Sequence, residues 1–272
     1  MPHTSITNCN KTRIAQQFSR AANTYNLVAD VQLDIALDAM AFVSSGYKNG
    51  LDIGCGTGRI SQQLATRCDS VFAMDLAFGM LSFAKQDNLV GDTSICWLQG
   101  DADCLPIADS SVDMVFSSMV LQWSDNQHKV MSEIARVMTS GSHAVLAIMC
   151  DGSFKQLNDS WQTIDSQRHV NDFASAKTWC EVAKNQGLQV TMHEKKYVTW
   201  HPNIRLLLSS IKGIGANVLL NNDNSSEHVK FGTKNTINRH TLQHLETFYQ
   251  KKYAEKMQLP LTYQVCFLRC SK

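Results

Sequence analysis

Three glycines and one acidic residue form the pattern in this chain whose spacing could carry chemistry. Gly54, Gly56 and Gly58 make a G-x-G-x-G loop, and Asp75 ends the next apolar run. Glycines let the backbone turn sharply and approach a ligand closely, and a carboxylate can accept hydrogen bonds from a ribose diol. A dinucleotide loop needs its third glycine one place later, where Arg59 stands, and no G-K-S or G-K-T phosphate signature is present. The pattern therefore predicts a site for a nucleoside cofactor without a phosphate, although such loops also join strands to helices with no ligand.

The elements that would hold this loop alternate between strands and helices. Short apolar runs predict strands at 50–53, 70–74, 95–99, 112–117 and 143–149, with helices between them. This alternation is typical of a parallel sheet covered by helices on both faces. Ligands bind beyond the carboxyl ends of such strands. Gly54, Asp75, Asp101 and Ser117 all fall at predicted strand ends, which supports one shared cofactor site.

The flanking segments are predicted to be mainly helical. Helices are expected at 11–45, with a break near Asn23 and Thr24, and at about 154–167, 174–186, 203–220 and 239–256. Strands are expected at 188–200 and 261–269, and the polar stretch 221–238 is predicted to be a loop. Without repeats or a linker, the simplest layout is a single domain over 1–272. It comprises N-terminal helices at 10–45, a cofactor-binding core at 49–150 and a helical cap element within about 201–240.

Composition limits the partners and the setting. Among 272 residues, 44% are hydrophobic, which supports a full core, and the net charge of +1 argues against a general nucleic-acid surface. No run approaches the roughly 18 apolar residues of a membrane span. The nine cysteines include no C-x-x-C pair and the nine histidines show no zinc-type spacing. We therefore expect no metal site, no membrane or nucleic-acid partner, and a cytoplasmic location that keeps the thiols reduced.

The Gly-Asp-Ala-Asp turn at 100–103 is a second candidate for contact with a cofactor. The carboxylate of Asp101 could accept a hydrogen bond from an exocyclic adenine amine, and the backbone N–H of Ala102 could donate to a ring nitrogen. Taken alone, an acidic turn is more often a helix cap or a solvated loop. Its position after the glycine loop and Asp75 favours the cofactor interpretation.

Two segments resemble class I S-adenosylmethionine (SAM) methyltransferases. They are Leu-Asp-Ile-Gly-Cys-Gly-Thr-Gly at 51–58, similar to the first motif, and 110–123, similar to the fourth-strand motif. The resemblance implies an α/β, Rossmann-like fold with a mostly parallel seven-stranded sheet and helices on both faces. It also implies that Gln122 and Trp123 open the next helix beside the reaction centre, although Trp123 could equally be a core aromatic. The implied cofactor-binding residues are Asp52, Gly54, Gly56, Gly58, Asp75, Leu76, Asp101, Ala102 and Ser117.

More specific strings resemble the malonyl-acyl-carrier-protein O-methyltransferases of biotin synthesis and together cover most of the chain. They are I-A-Q-Q-F-S-R-A-A-N-T-Y at 14–25, G-D-A-D-C-L-P-I at 100–107, V-L-Q-W at 120–123, L-S-S-I-K-G-I-G-A-N at 208–217 and L-P-L-T-Y at 259–263. In that family the free carboxylate of a malonyl thioester on acyl carrier protein takes a methyl group from SAM. The methyl ester then serves pimeloyl and biotin synthesis. The polar stretch 221–238 is longer than the family pattern needs.

Carboxyl methylation asks little of acid–base groups. A carboxylate with a reference pKa near ~4 is already ionised at neutral pH, so alignment and exclusion of water matter more than a base. We therefore expect Tyr25, Gln122 and Trp123 only to position the reacting groups. Arg20, Gln32 or Lys212 would bind the substrate carboxylate. Arginine offers a bidentate fork, but Arg20 could also bind a helix end, and Lys212 could be a solvated surface residue.

Two other functions stay open at this point. Another SAM methyltransferase, acting on a different carboxylate or on a quinone-type carbon, would share the core motifs. A non-catalytic partner protein that binds SAM, or nothing, would share the fold, although the intact glycine loop and Asp75 argue against it. An NAD enzyme is disfavoured by Arg59.

Overall fold

The computed structural model describes residues 4–87, 94–214 and 238–272. Within these ranges the strands form one seven-stranded sheet in the order β3-β2-β1-β4-β5-β7-β6. All pairs are parallel except those of β7, which runs antiparallel to both β5 and β6. The strands are β1 (Tyr47–Ile53), β2 (Cys68–Asp75), β3 (Ile95–Gln99), β4 (Val112–Ser118), β5 (Met138–Met149), β6 (Gln189–His201) and β7 (Leu259–Ser271). The expected mostly parallel, seven-stranded α/β fold is confirmed.

The helices cover the sheet on both faces. They are α1 (Thr4–Val28), α2 (Asp30–Met40), α3 (Arg59–Ala65), α4 (Phe78–Asp87), α5 (Gln127–Val137), α6 (Lys155–Trp161), α7 (Ala176–Asn185), α8 (Ile204–Gly213) and α9 (Arg239–Tyr253). Successive residues of β5 point to opposite faces. Val145 and Ala147 join the core under α2, α8 and α9, while Leu146 and Ile148 join the core under α5 and α7. Burial on both faces explains why the central strands read as continuous apolar runs.

Two local predictions need correction. The break expected near Asn23 and Thr24 lies instead at Ala29, whose φ of −99° and ψ of 37° interrupt the helix between α1 and α2. Helix α5 ends at Val137 and β5 begins at once at Met138, before the strand start expected at residue 143. Gly141, at φ +76°, lies where the pairing of β4 with β5 shifts its register. A glycine tolerates this backbone without strain, so here it marks an irregular strand and not a helix end.

The segment after β4 also differs from expectation. Gln122 and Trp123 do not open the next helix but form a short 3-10 helix, Leu121–Trp123. Helix α5 begins four residues later, where the side chain of Asn126 accepts a hydrogen bond from the backbone N–H of Lys129 at 3.0 Å. An asparagine at this position satisfies an otherwise unpaired helical donor. The cap at Asn126 therefore sets the start of α5, and Gln122 and Trp123 lie before it.

The C-terminal half contains the expected cap element only in part. Helix α8 ends at Gly213, and most of the predicted 203–220 helix end and the 221–238 loop lie outside the described residues. The layout as a single domain over 1–272 stays a prediction. Across the ranges that the structure describes, no helix has both the length and the apolar character that crossing a membrane requires.

Candidate functional site

The glycine loop connects the end of β1 to the start of α3, and each glycine has its own reason to be there. A Cβ on Gly54, at φ +76°, would lie 2.7 Å from the Cβ of Val120, and one on Gly58, at φ +81°, would lie 2.5 Å from the Trp97 ring. These two positions allow close packing. Gly56, at φ +54°, faces open space within 4 Å. This is the place where the loop backbone can approach a ligand.

Asp75 fixes the loop from the end of β2. One carboxylate oxygen accepts the Gly56 N–H at 2.8 Å, and the other accepts the Ala77 N–H at 2.7 Å. Burial raises the pKa of Asp75, and the backbone N–H donors oppose that rise. Each carboxylate oxygen still has a lone pair for another donor. The carboxylate borders an open cavity, so a ribose diol fits the remaining acceptors.

Asp52 lies beneath the loop rather than at its mouth. It is 2% exposed, and its carboxyl accepts the Ser61 hydroxyl at 2.6 Å. Burial raises its pKa to about 7, with a smaller contribution from the charge of Asp75, while the bond from Ser61 lowers it. Asp52 therefore anchors the loop to α3 and holds a proton over part of the physiological pH range.

Stability should depend on the ionisation of Asp52. Because the folded-state pKa of Asp52, about 7, exceeds the ordinary aspartate pKa of 3.8, the protonated form favours folding. This contribution is fully present below about pH 4 and is lost as the pH rises through about 7, by up to about 4 kcal/mol. We expect Asp52→Asn to flatten the decline in the free energy of unfolding between these values, measured by urea denaturation of the ligand-free protein. Equal pH slopes for both proteins would show that Asp52 is ionised throughout.

The main cavity lies over the carboxyl ends of β1 to β4 and is roofed by α1. Its volume is about 840 Å³, a figure that includes the solvent-filled space at its open mouth. Predicted cofactor residues among its walls are Gly54, Gly56, Asp75, Leu76, Asp101 and Ala102. Helix α1 adds Lys11, Ile14, Ala15, Phe18 and Tyr25. The structure thus brings together the glycine loop, Asp75 and the 101–102 turn, as strand-end reasoning expected.

The strand that carries Ser117 ends one residue later than expected, at Ser118. The Ser117 side chain is fully buried, and its hydroxyl donates to the Ile53 carbonyl at 2.8 Å, which ties β4 to β1. Ser118 points the other way and borders the main cavity, and its buried hydroxyl has no hydrogen-bond partner in the described structure. Because side chains alternate along a strand, the serine side chain at this cavity is that of Ser118, and a contact of Ser117 with the cofactor stays a prediction.

A second cavity adjoins the main one behind the glycine loop. It shares Tyr25, Gly54, Gly56 and Ser118 with the main cavity and adds Gln32 and Asp52. An unpartnered hydroxyl, an acceptor at Asp75 and a glycine facing open space make a polar cradle beside apolar walls. These features fit a nucleoside with a short polar tail. The residues around these two cavities therefore suit SAM.

A third, inner cavity lies between α1, α2 and the ends of β4, β5 and β7. Its polar side chains are Tyr25, Gln32, Gln122 and Tyr263, and its apolar walls include Phe18, Met119, Trp123 and Phe154. Tyr25 borders all three cavities, and Trp123 borders both the main and the inner cavity. Of the predicted positioning residues, Tyr25 and Trp123 therefore lie where the main cavity joins the inner one, and Gln122 lies in the inner cavity.

Three polar side-chain atoms of the inner cavity are buried with no hydrogen-bond partner among the described residues. Gln32 is 7% exposed, and within the described ranges neither its amide nitrogen nor its amide oxygen has a partner in good hydrogen-bond geometry, although the Tyr263 hydroxyl lies beside it. Gln122 donates to the Met119 carbonyl at 2.7 Å, but its own amide oxygen is unpartnered. Leaving such groups unsatisfied costs about 1–3 kcal/mol each. They are features that a bound polar group would satisfy.

The tyrosines of the inner cavity remain neutral donors. Burial raises the pKa of Tyr25, and the nearby charge of Asp75 raises it further. Burial likewise raises the pKa of Tyr263, whose hydroxyl lies beside Gln32. Both phenols therefore keep their protons at neutral pH. Tyr263 was not chosen as a site residue from the sequence, although it ends the family-like string at 259–263.

Two inner-cavity residues have strained backbones. Met119 has φ +59° and Phe154 has φ +57°, a region that residues with side chains rarely adopt. The Phe154 ring packs edge-on against Tyr263, with ring centroids 5.0 Å apart. Such strain persists where the surroundings hold it in place, and it is concentrated at functional sites. The backbone here is shaped around the cavity.

The two predicted cations lie elsewhere. Arg20 is exposed and borders a shallow groove on the outer side of α1. Lys212 is exposed in the last turn of α8. Among the described residues, no lysine or arginine borders the inner cavity. The roles of Arg20 and Lys212 in binding substrate stay predictions. The donors that the inner cavity offers are uncharged.

Comparisons with known proteins agree with this geometry. A family model described as "Methyltransferase domain" matches residues 51–146, from the glycine loop into β5. The YcgJ protein of Bacillus subtilis has a similar structure, with a TM-score of 0.60 at 14% identity over 88% of this chain and 97% of that one. A phosphoethanolamine N-methyltransferase of Haemonchus contortus, solved with S-adenosylhomocysteine, has a TM-score of 0.54 at 20% identity over 89% and 52%. At these identities the likeness concerns the fold.

Sequence relatives are more specific. A malonyl-(acyl-carrier protein) O-methyltransferase of Hamiltonella defensa is 32% identical over 96% of this chain and 95% of its own length. One from Yersinia pestis is 35% identical over 77% and 76%. A biotin biosynthesis bifunctional protein, BioHC, of Cellvibrio japonicus is 33% identical over 97% of this chain, which spans 51% of that protein. The chain therefore belongs to the malonyl-acyl-carrier-protein O-methyltransferase family and is a SAM-dependent enzyme.

Proposed function

We propose that this enzyme methylates the free carboxylate of a malonyl thioester carried by acyl carrier protein, giving the methyl ester used for pimeloyl and biotin synthesis. The observation that carries the proposal is the inner cavity, which adjoins the cofactor cavity through Tyr25 and Trp123. Its buried amides lack partners, so a carboxylate placed there would satisfy them. The relatives' shared name supplies the substrate class.

The proposed reaction is a single displacement. A carboxylate oxygen forms a bond to the methyl carbon, the carbon–sulfur bond breaks, and its electron pair remains on sulfur. SAM supplies an activated methyl group on a positively charged sulfur. No proton has to move, because the carboxylate is already ionised at neutral pH. The protein needs to bind the reactants, align them and exclude water from them.

Uncharged donors suit this displacement better than a cation. Tyr25 and Tyr263 can each donate one O–H, and the Gln32 amide can donate two N–H bonds. These donors hold a carboxylate in place without neutralising the charge that attacks the methyl carbon. A lysine or arginine pair would instead stabilise the reactant carboxylate more than the transition state, in which that charge is disappearing.

The aromatic walls would strengthen the attraction between the reactants. The rings of Phe18 and Trp123 meet edge-on with centroids 5.9 Å apart, at the junction of the two cavities. Phe154 and Met119 close the inner side. With water excluded, the attraction between a carboxylate and a sulfonium is less screened than in bulk solvent.

Methyl transfer from labelled SAM to malonyl-acyl-carrier-protein tests the proposal, with acetyl-carrier and succinyl-carrier as controls. Label that depends on the malonyl group and leaves as methanol on base hydrolysis would support carboxyl methylation. The acetyl-carrier should remain unlabelled because it has no free carboxylate. Normal SAM binding with no transfer to the malonyl-carrier would contradict the proposed substrate and leave the fold and the cofactor unaffected.

The proposed setting is the cytoplasm. Cysteines across the described residues are free thiols, and Cys55, Cys150 and Cys266 are among the buried ones. Such thiols suit a reducing compartment.

A further inference from the structure

A lysine on the roof helix contacts both acidic residues of the 101–103 turn. The Lys11 ammonium lies 2.8 Å and 2.6 Å from the two Asp101 carboxylate oxygens and 2.5 Å from an Asp103 oxygen. The side chains of Lys11 and Asp103 are 15% and 6% exposed. Asp103 also accepts the Ser124 hydroxyl at 2.6 Å. This is a largely buried ion cluster and not a surface pair.

The same helix is fixed at two more points along its length. The Gly79 N–H donates to the Ser19 hydroxyl at 3.1 Å, and the Thr57 hydroxyl donates to the Asn26 amide oxygen at 2.7 Å. A Cβ on Gly79 would lie 2.7 Å from the Ser19 Cα, so α1 and α4 pack closely. Helix α1 therefore crosses the main cavity from the 101–103 turn to the glycine loop. A molecule bound beneath it is therefore covered by α1 on that side.

Lys11 balances an otherwise negative end of the cavity. Asp125 lies near it as a third carboxylate, bonded to Asn10. Burial by itself lowers the pKa of Lys11, but the hydrogen bonds to Asp101 and Asp103 outweigh this and raise it overall. Lys11 is therefore charged whenever the protein is folded at neutral pH. Without it, the carboxylates would repel each other beneath α1.

We propose that Lys11 is a positioning residue for SAM, which orients the Asp101 carboxylate toward the adenine amine and fastens α1 over the bound cofactor through Asp103. The Asp101 Oδ1 atom already accepts from Lys11 and from the Asp103 N–H at 2.9 Å, but Oδ2 has a second lone pair left for an exocyclic amine. The Lys11 contacts then slow the release of SAM and of S-adenosylhomocysteine by holding α1 over them. The inference requires only SAM binding and does not depend on the proposed malonyl substrate.

Rapid-mixing measurements on Lys11→Met test this role. We expect SAM and S-adenosylhomocysteine to dissociate about ten- to a hundredfold faster, with little change in the association rate, because losing one partner of a buried charge pair acts mainly on dissociation. Lys11→Arg should restore slow release, because it returns a cation to the two carboxylates.

Lys177→Met is the matched control, because Lys177 pairs with Glu181 at 3.7 Å on the exposed face of α7. It should leave both ligands' rates unchanged. Asp103→Asn keeps Lys11 on Asp101 and removes the second attachment, so it should give an intermediate dissociation rate even if Lys11→Met folds poorly. Wild-type dissociation rates in Asp103→Asn and Lys11→Met, or a Lys11→Arg rate no slower than that of Lys11→Met, would overturn the proposal. Methyl-transfer assays on the malonyl-carrier are not needed for any of these outcomes.

Discussion

Asp75→Ala is expected to weaken SAM binding by about a hundredfold, the largest effect of any single change in the cofactor cavity. Two hydrogen bonds from a ribose diol to a charged acceptor contribute about 1.5 kcal/mol or more each, and their loss together corresponds to about two orders of magnitude in affinity. The Gly56 and Ala77 N–H groups also lose their acceptor, which loosens the loop. Equilibrium dialysis or calorimetry with SAM measures the change.

Asp69→Ala provides the control, because Asp69 lies on the same strand and is exposed. It should bind SAM like the wild type. Unchanged affinity in Asp75→Ala, with an intact unfolding transition, would mean that the ribose does not sit at the end of β2. A loss of folded protein would also lower the apparent affinity for SAM. Thermal unfolding of each variant without ligand distinguishes that loss from weaker binding.

Gln32→Leu should combine lost activity with gained stability. Leucine has a similar size and removes two buried polar atoms that have no partner, so the free energy of unfolding should rise by about 1–3 kcal/mol. At the same time, methyl transfer to the malonyl-carrier should fall by about ten- to a hundredfold, the loss expected when one donor to a charged group disappears. SAM affinity should change little. Urea denaturation and steady-state kinetics measure the two effects.

The opposite signs are what make this prediction informative. A residue that only packs the core should lose stability and activity together, whereas residues kept for function often cost stability. Tyr263→Phe should show the same separation more weakly, because it removes a single hydroxyl. Gln63→Leu, at an exposed position of α3, is the control and should leave activity unchanged. Full activity in both Gln32→Leu and Tyr263→Phe would place the carboxylate outside the inner cavity.

Local rules predicted the cofactor half of the site well. Strand ends could be read from short apolar runs, and parallel strands bring their carboxyl ends to one edge. That reasoning placed Gly54, Gly56, Asp75, Asp101 and Ala102 together, and the structure shows them around one cavity. The end of β4 was placed one residue early, at Ser117 instead of Ser118. Because side chains alternate along a strand, this one-residue difference decides which serine side chain borders the cavity.

Sequence patterns could not predict contacts between segments that are far apart in the chain. Lys11 and Asp101 are 90 positions apart, and no spacing rule links the first turns of α1 to the end of β3. Gln32 on α2 and Tyr263 on β7 meet only because β7 inserts antiparallel beside β5. The exposure of Arg20 and Lys212 likewise depends on which faces of α1 and α8 pack inward.

The sequence by itself determined the parallel α/β sheet, the glycine loop with its acidic partner, and the family, because these depend on residue types at short, regular spacings. The tertiary structure decided which side chains face the reacting groups. It placed uncharged amides and phenols around the inner cavity, left Arg20 and Lys212 on the surface, and set Lys11 against two carboxylates. The physical reason is that burial and charge pairing arise between segments far apart in the chain, and only packing brings those segments into contact.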